Sequence, residues 1–270
     1  LIAHIYSVFL FSPLCRYPWP MSSRRVALVT GASSGIGAAT VRALSAEGFT
    51  IIATARRQDR LDDLAKSLTG VEVFAADLTL QSEVDAFAAF CADKSVEVLV
   101  NCAGGAFDAS TVLDGDPEVW KKTYDVNVIA TLRITKAITP QMIKNGKGHV
   151  VVISSTAGHR AYENGGSYVA AKFAETSLAH TLRLELNGLP IRITEIAPGM
   201  VKTDEFALNR FDGDSSKASK VYEGVAAPLT AEDVAESIRW SVTLPEHFNV
   251  DSMVIRPLAQ AANHKVHRTS

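Results

Sequence analysis

Cysteine is scarce: Cys15, Cys91 and Cys102 are odd in number and form no C-x-x-C pair. That argues against a disulfide framework or a zinc site and fits a reducing cytoplasm. His149, His159, His180 and His247 show no metal-ligand spacing and read as structural or surface residues, so no metal is expected. Neither sign of charge is in excess, since the formal net charge is −2, which leaves no electrostatic case for nucleic acid or an anionic membrane. Low-complexity segments, internal repeats and domain linkers are also missing. A chain of 270 residues without them buries one core as a single α/β domain.

A long hydrophobic run is missing as well. The apolar stretch at the start of the chain has about ten residues, too few to span a bilayer. No basic residue precedes it, Pro13, Pro18 and Pro20 break up the residues after it, and no small-x-small cleavage site appears. Residues 1–20 therefore read as extraneous or disordered, with Met21 as the natural first residue and 21–270 as one catalytic domain.

From Arg25 onward, β-branched runs alternate with helical patterns. Strands are expected at Val26–Thr30, Thr50–Ala55, Val71–Ala75, Val96–Asn101, His149–Ile153, Ile191–Ala197 and Met253–Arg256. Helices are expected at Ile36–Glu47, Arg60–Leu68, Ser82–Asp93, Pro117–Lys144, Ser167–Asn187 and Thr230–Thr243. The strands are continuously apolar, as strands covered on both faces are. The fold class is thus α/β: a single-domain Rossmann fold, with helices on both faces of a doubly wound parallel sheet of about seven strands. Residues 200–224 are polar and irregular and read as a lid over a ligand.

The run Thr30-Gly-Ala-Ser-Ser-Gly-Ile-Gly37 leaves the first strand and opens the first helix. Gly31 allows the tight turn, Gly35 a close backbone approach to phosphate, and Gly37 close helix–sheet packing. The helix N-terminus then favours a pyrophosphate. The second strand ends at Arg56-Arg57, where an NAD-selecting chain usually carries a carboxylate. Two guanidiniums there suit the 2′-phosphate of NADP.

Tyr168 and Lys172 are four apart, about one helical turn, with Ser155 thirteen residues before the tyrosine. An ammonium beside a phenol favours the phenolate, so Lys172 is expected to pull Tyr168 toward working pH. Such a tyrosine exchanges a proton with a reacting hydroxyl, and a serine hydroxyl can hold the same oxygen.

Together these motifs resemble the short-chain dehydrogenase/reductase family over Arg24–Pro257. Asn101-Cys-Ala-Gly104 resembles its Asn-Asn-Ala-Gly, with Cys102 in place of the second Asn; Asn127 in Asp125-Val-Asn-Val and Pro198-Gly199 with Val201 and Thr203 are similar to further motifs. The resemblance implies a catalytic set of Asn127, Ser155, Tyr168 and Lys172. It implies cofactor contacts from Gly31, Ser33, Ser34, Gly35 and Ile36, from Arg56, Arg57, Asp77, Leu78 and Asn101, and from Tyr168, Lys172, Pro198, Gly199, Val201 and Thr203. Asp77 would meet the adenine ring, and the Asn127 backbone would hold a relay water.

Segments around Arg56, Leu244–Val250 and Val266–Arg268 are similar to the NADP-dependent 3-hydroxy acid dehydrogenase subgroup, which acts on serine, allo-threonine and related acids. That likeness implies a small hydroxy acid bound by Ser155 and Tyr168, with a cation for its carboxylate. Arg210 is the first choice, ahead of Lys202 and Arg160. Alternatives are a reductase of another carbonyl (3-oxoacyl thioester, sugar or xenobiotic ketone) and a non-catalytic NADP-binding regulator. The family likeness also suggests a homotetramer.

Overall fold

A computed structural model of the chain describes residues 25–269, so the reading of residues 1–20 and of Met21 lies outside the described residues. Strands β1 (Val26–Thr30), β2 (Thr50–Ala55), β3 (Val71–Ala75), β4 (Val96–Asn101), β5 (Gly148–Ile153), β6 (Ile191–Pro198) and β7 (Ser252–Ile255) form one sheet, in the order β3-β2-β1-β4-β5-β6-β7. All its pairings are parallel. The order reverses between β1 and β4, which opens a crevice at the carboxyl ends of the strands.

Neighbouring strand residues serve opposite layers, because successive side chains leave opposite faces. Val29, Ile51 and Val100 pack with Val41 and Leu44 of α1 (Gly35–Ala46) and Ile238 of α9 (Ala231–Thr243). Leu28, Ile52 and Leu99 pack instead with Phe87 of α3 (Gln81–Cys91) and Ile134 of α5 (Ala130–Lys144). Two covered faces explain why these strands read as continuous apolar runs rather than alternating ones. The remaining helices are α2 (Gln58–Lys66), α4 (Pro117–Tyr124), α6 (Gly166–Glu185), α7 (Phe206–Arg210) and α8 (Ser215–Lys220).

Helix starts follow their local chemistry. Asp116 accepts a hydrogen bond from the Glu118 N–H at 2.9 Å ahead of Pro117, and Thr230 with Asp233 forms a reciprocal capping box. Three features differ from the sequence reading. The single helix expected over Pro117–Lys144 is broken by a π-turn at Asp125–Ile129, an insertion of the kind that gathers at functional sites. The irregular stretch after β6 holds two short helices, α7 and α8. A small antiparallel hairpin, β8 (Gln260–Ala262) with β9 (Lys265–Val266), closes the described chain. No helix among the described residues is long and apolar enough to cross a membrane.

Candidate active site

The carboxyl ends of the strands and the α7–α8 segment enclose a cleft of about 460 Å³. It is lined by the glycine turn at one end and by Ser155, Tyr168, Lys172 and Arg210 at the other. Arg56, Arg57, Asp77, Leu78, Pro198, Gly199, Val201 and Thr203 line it between. Asn101 departs from its expected place: it does not line the cleft, and its amide donates to Thr135 Oγ1 at 3.2 Å within the core. Asp77 does line the cleft, but its Oδ1 accepts from the Thr79 N–H and hydroxyl at 2.9 and 2.7 Å.

The turn at the head of α1 is built to receive an anion. Gly31 and Gly35 take φ of 65° and 50°, where a side chain would be strained. A Cβ on Gly31 would lie 2.9 Å from the Ala103 backbone, and one on Gly37 would lie 2.3 Å from the Gly31 carbonyl oxygen. Ser34 at the N-cap makes no side-chain cap, and among the described residues no side chain accepts from the first N–H groups of α1. Free N–H groups at a helix start with this close backbone approach fit a pyrophosphate. Gly37→Ala should therefore weaken dinucleotide binding, and forced overpacking should lower stability by about 1–3 kcal/mol. Calorimetry and dye-monitored melting check both effects.

At the rim the two arginines part company. Arg56 is exposed and makes no side-chain hydrogen bond or ion pair among the described residues. Arg57 donates to the Ser33 hydroxyl at 2.9 Å and to Glu205 Oε1 and Oε2 at 2.7 and 2.9 Å. Glu205 also takes the Ser34 hydroxyl at 2.9 Å and Arg60 at 2.6 Å. Hydrogen bonding from Arg57 holds this carboxyl down at about 2, with Ser34 and Arg60 adding to it against burial. Glu205 stands just ahead of α7, so an anion from the segment after β6 is clasped by the residues expected to meet phosphate. No motif in the sequence points to it.

At the other end, Tyr168 and Lys172 leave one face of α6, with Lys172 Nζ 5.6 Å from the phenol ring centroid. The Lys172 ammonium donates to the Ile153 carbonyl at 2.9 Å. Ser155 donates to the Pro198 carbonyl at 3.3 Å and accepts from the Ala157 N–H at 3.1 Å. Contrary to the sequence expectation, the Tyr168 phenol sits above its ordinary value. Burial raises it by more than Lys172 and the Ser155 hydroxyl lower it. Lys172 is itself held above its ordinary value: burial pulls it down, and Glu175 and Tyr168 more than offset that. Asn127 sits in the π-turn and braces the loop after β4. Its amide donates to the Gly105 and Thr123 carbonyls at 2.8 and 2.7 Å and accepts from the Gly105 N–H at 3.1 Å.

Of the cations considered for a substrate, Arg210 lines the cleft, whereas Lys202 and Arg160 do not. Arg210 donates to the Tyr162 hydroxyl at 3.2 Å and to the Asn164 carbonyl at 2.7 Å, and its buried Nε has no partner among the described residues. Phe206, four residues earlier on α7, sets its ring edge against Tyr168 at a centroid distance of 5.4 Å. One turn of helix therefore places Arg210 over the Tyr168 end of the cleft. Gln260 and Asn263 of the C-terminal hairpin also line it, and the sequence reading missed both.

A glycine turn at the switch point of a parallel sheet, facing Ser, Tyr and Lys across one cleft, defines a nucleotide-dependent oxidoreductase of the short-chain type. The chain belongs to the short-chain dehydrogenase/reductase family: the family model for short chain dehydrogenases matches residues 25–211. Among its relatives, an uncharacterized oxidoreductase of Mycobacterium tuberculosis is 50% identical over 239 residues, which is 88% of this chain and 93% of that protein. The NADP-dependent 3-hydroxy acid dehydrogenase YdfG of Escherichia coli strain K12 is 36% identical, over 90% of this chain and 99% of that one. Among solved structures, the closed form of serine dehydrogenase complexed with NADP+ superposes with a TM-score of 0.85 at 34% identity, covering 90% of this chain and 100% of that chain.

Proposed function

We propose that this enzyme interconverts a short 3-hydroxy acid, of the serine or 3-hydroxyisobutyrate type, and its 3-oxo form. The cofactor is NADP, which when bound supplies the acceptor and donor of the electron pair. Its pyrophosphate would lie on the glycine turn and the start of α1, and its 2′-phosphate at Arg56 and Arg57. Ser155 and Tyr168 hold the reacting oxygen. Tyr168 takes the hydroxyl proton in oxidation and returns it in reduction, Lys172 supplies positive charge beside the phenol, and Asn127 fixes the loop that faces them. Residues 200–224, carrying α7 and α8, act as the lid, closing water out of the Tyr168 end. We further read the chain as a cytoplasmic homo-oligomer, with Leu132 of α5 and Phe173 of α6 exposed on helices suited to pairing.

The observation that carries the substrate class is Arg210, the one of the three candidate guanidinium and ammonium groups that lines the cleft. A carboxylate entering the cleft suits a guanidinium best, through paired charge-assisted hydrogen bonds. Arg210→Ala is expected to raise KM for a 3-hydroxy acid about tenfold or more, since a hydrogen bond to a charged group contributes about 1.5–3 kcal/mol. Turnover of an alcohol lacking the carboxylate should be nearly unchanged. NADPH fluorescence over a panel of hydroxy acids, 3-oxoacyl thioesters and neutral ketones makes the measurement. An unchanged KM for the acids, or a preference for the thioesters, would set the substrate assignment aside.

A further inference from the structure

Behind Lys172, which lines the cleft, lies a buried acid that the chemistry above leaves unused. Glu175 lies on α6 just beyond Lys172, is fully buried, and brings Oε2 to 2.6 Å from Lys172 Nζ. That contact is the carboxylate's one charged partner, and its Oε1 has no hydrogen-bond partner among the described residues. The same face of α6 buries Ala171 and Ala179, and an apolar residue would fill this place without the desolvation that a carboxylate brings. The fold does not ask for an acid here.

The titratable groups that bear on Glu175 come from its own helix and from β6. On α6 they are Lys172 and, beyond it, Tyr168; on β6 it is Glu195. Glu195 is already satisfied. It accepts from the Ser154, Thr176 and Ser252 hydroxyls at 2.5, 2.6 and 2.8 Å and pairs with His159 at 3.0 Å and His180 at 3.4 Å. Lys172 meets Tyr168 and Cys102 besides Glu175. Glu175 is thus the acid whose charge acts on Lys172 without a second partner. Burial pushes it up to about 7, against the pull of Lys172, so it is a carboxylate over the alkaline interval in which the phenol titrates.

We propose that Glu175 is a positioning residue of the reaction, holding Lys172 Nζ and setting how much of the lysine's charge reaches the Tyr168 phenol. The proposal rests on the roles of Tyr168 and Lys172 given above. As a carboxylate, Glu175 offsets the ammonium, and the phenol keeps its proton, the form that donates to a carbonyl oxygen in reduction. Without that charge the ammonium would be uncompensated, and the phenolate that accepts a proton in oxidation would be favoured.

The test reads both the pH profile and the phenol itself. In Glu175→Gln the opposing charge is gone, so the apparent pKa that governs alcohol oxidation should fall by about one unit or more. Ultraviolet difference titration of phenolate in the enzyme alone, referenced to Tyr168→Phe, should show the same downward move without cofactor or substrate. Glu175→Asp keeps a carboxylate one methylene further from Lys172 and should fall between wild type and Glu175→Gln. It also serves as the readable variant if the glutamine form does not fold. An unmoved or raised pKa, with activity lower at every pH, would reduce Glu175 to a buried structural ion pair and overturn the proposal. Near-native turnover in Tyr168→Phe would instead overturn the tyrosine assignment, whatever the Glu175 variants do.

Discussion

Tyr168→Phe should lower kcat by about 10²–10⁴-fold, the usual contribution of a positioned acid–base group, with dinucleotide affinity close to native. The fold gives no reason for collateral damage. The Tyr168 ring packs edge-on against Phe206 at 69°, and phenylalanine keeps that ring. Lys172 Nζ is anchored by the Ile153 carbonyl and Glu175 rather than by the phenol oxygen. The variant therefore deletes one hydroxyl from a site whose other groups stay in place. Single-turnover rates with a matched melting curve make the comparison, and near-native kcat would remove Tyr168 from the chemistry.

The direction of the phenol's shift adds a pH dependence. Burial holds Tyr168 above its ordinary value, so the protonated phenol prevails at neutral pH. Reduction needs that form and should run well there, losing rate as pH rises through the phenol's pKa. Oxidation needs the phenolate and should gain rate over the same alkaline interval. Rate profiles taken in both directions on one preparation check the sign. Oxidation that peaks below neutrality would contradict it.

What the sequence discloses is what one element or one turn encodes. The spacing of Gly31, Gly35 and Gly37 is a strand–turn–helix pattern within a few residues, and Tyr168 with Lys172 is one turn of one helix. Such short-range chemistry is legible because local geometry fixes it before any tertiary contact forms. The strands were legible too, because burial on both faces removes polar alternation and leaves unbroken apolar runs. Glu205 was not legible. It meets Arg57 across 148 residues of chain, from a stretch with no periodicity, and only the sheet topology brings the two together. Glu175 hides for a different reason: at helical spacing a glutamate reads as a solvated face, and only the packing shows it buried beside Lys172. The break in the long helix at Asn127 is likewise invisible, since no proline or glycine marks Asp125–Ile129. Asn101 is a different case: a motif match fixed its place in β4 but not the direction of its side chain, whose amide donates to Thr135 in the core.

Removing both rim arginines, Arg56→Ala with Arg57→Ala, should raise the Kd for NADP about 10²-fold or more and leave the Kd for NAD within a few-fold. Each guanidinium–phosphate hydrogen bond contributes about 1.5–3 kcal/mol, and each 1.4 kcal/mol is about tenfold. NAD has no 2′-phosphate and so should be nearly indifferent. The single variants should differ, because the two side chains are held differently. Arg56 is exposed and makes no side-chain hydrogen bond or ion pair among the described residues, so Arg56→Ala removes only a phosphate partner. Arg57 also holds the Glu205 carboxylate with two of its nitrogens. Arg57→Ala therefore leaves Glu205 with Arg60 and Ser34 alone, and its negative charge then faces an anionic ligand with less compensation. The Arg57 variant should accordingly lose more NADP affinity than the Arg56 variant. Adding Glu205→Gln to it should recover part of the loss, because the unpaired charge goes with it. Fluorescence titration of NADPH and NADH across these variants settles the order. Equal losses for both cofactors would mean that neither arginine reads the 2′-phosphate, and a Glu205→Gln that recovers nothing would mean that Glu205 does not bear on the cofactor's charge.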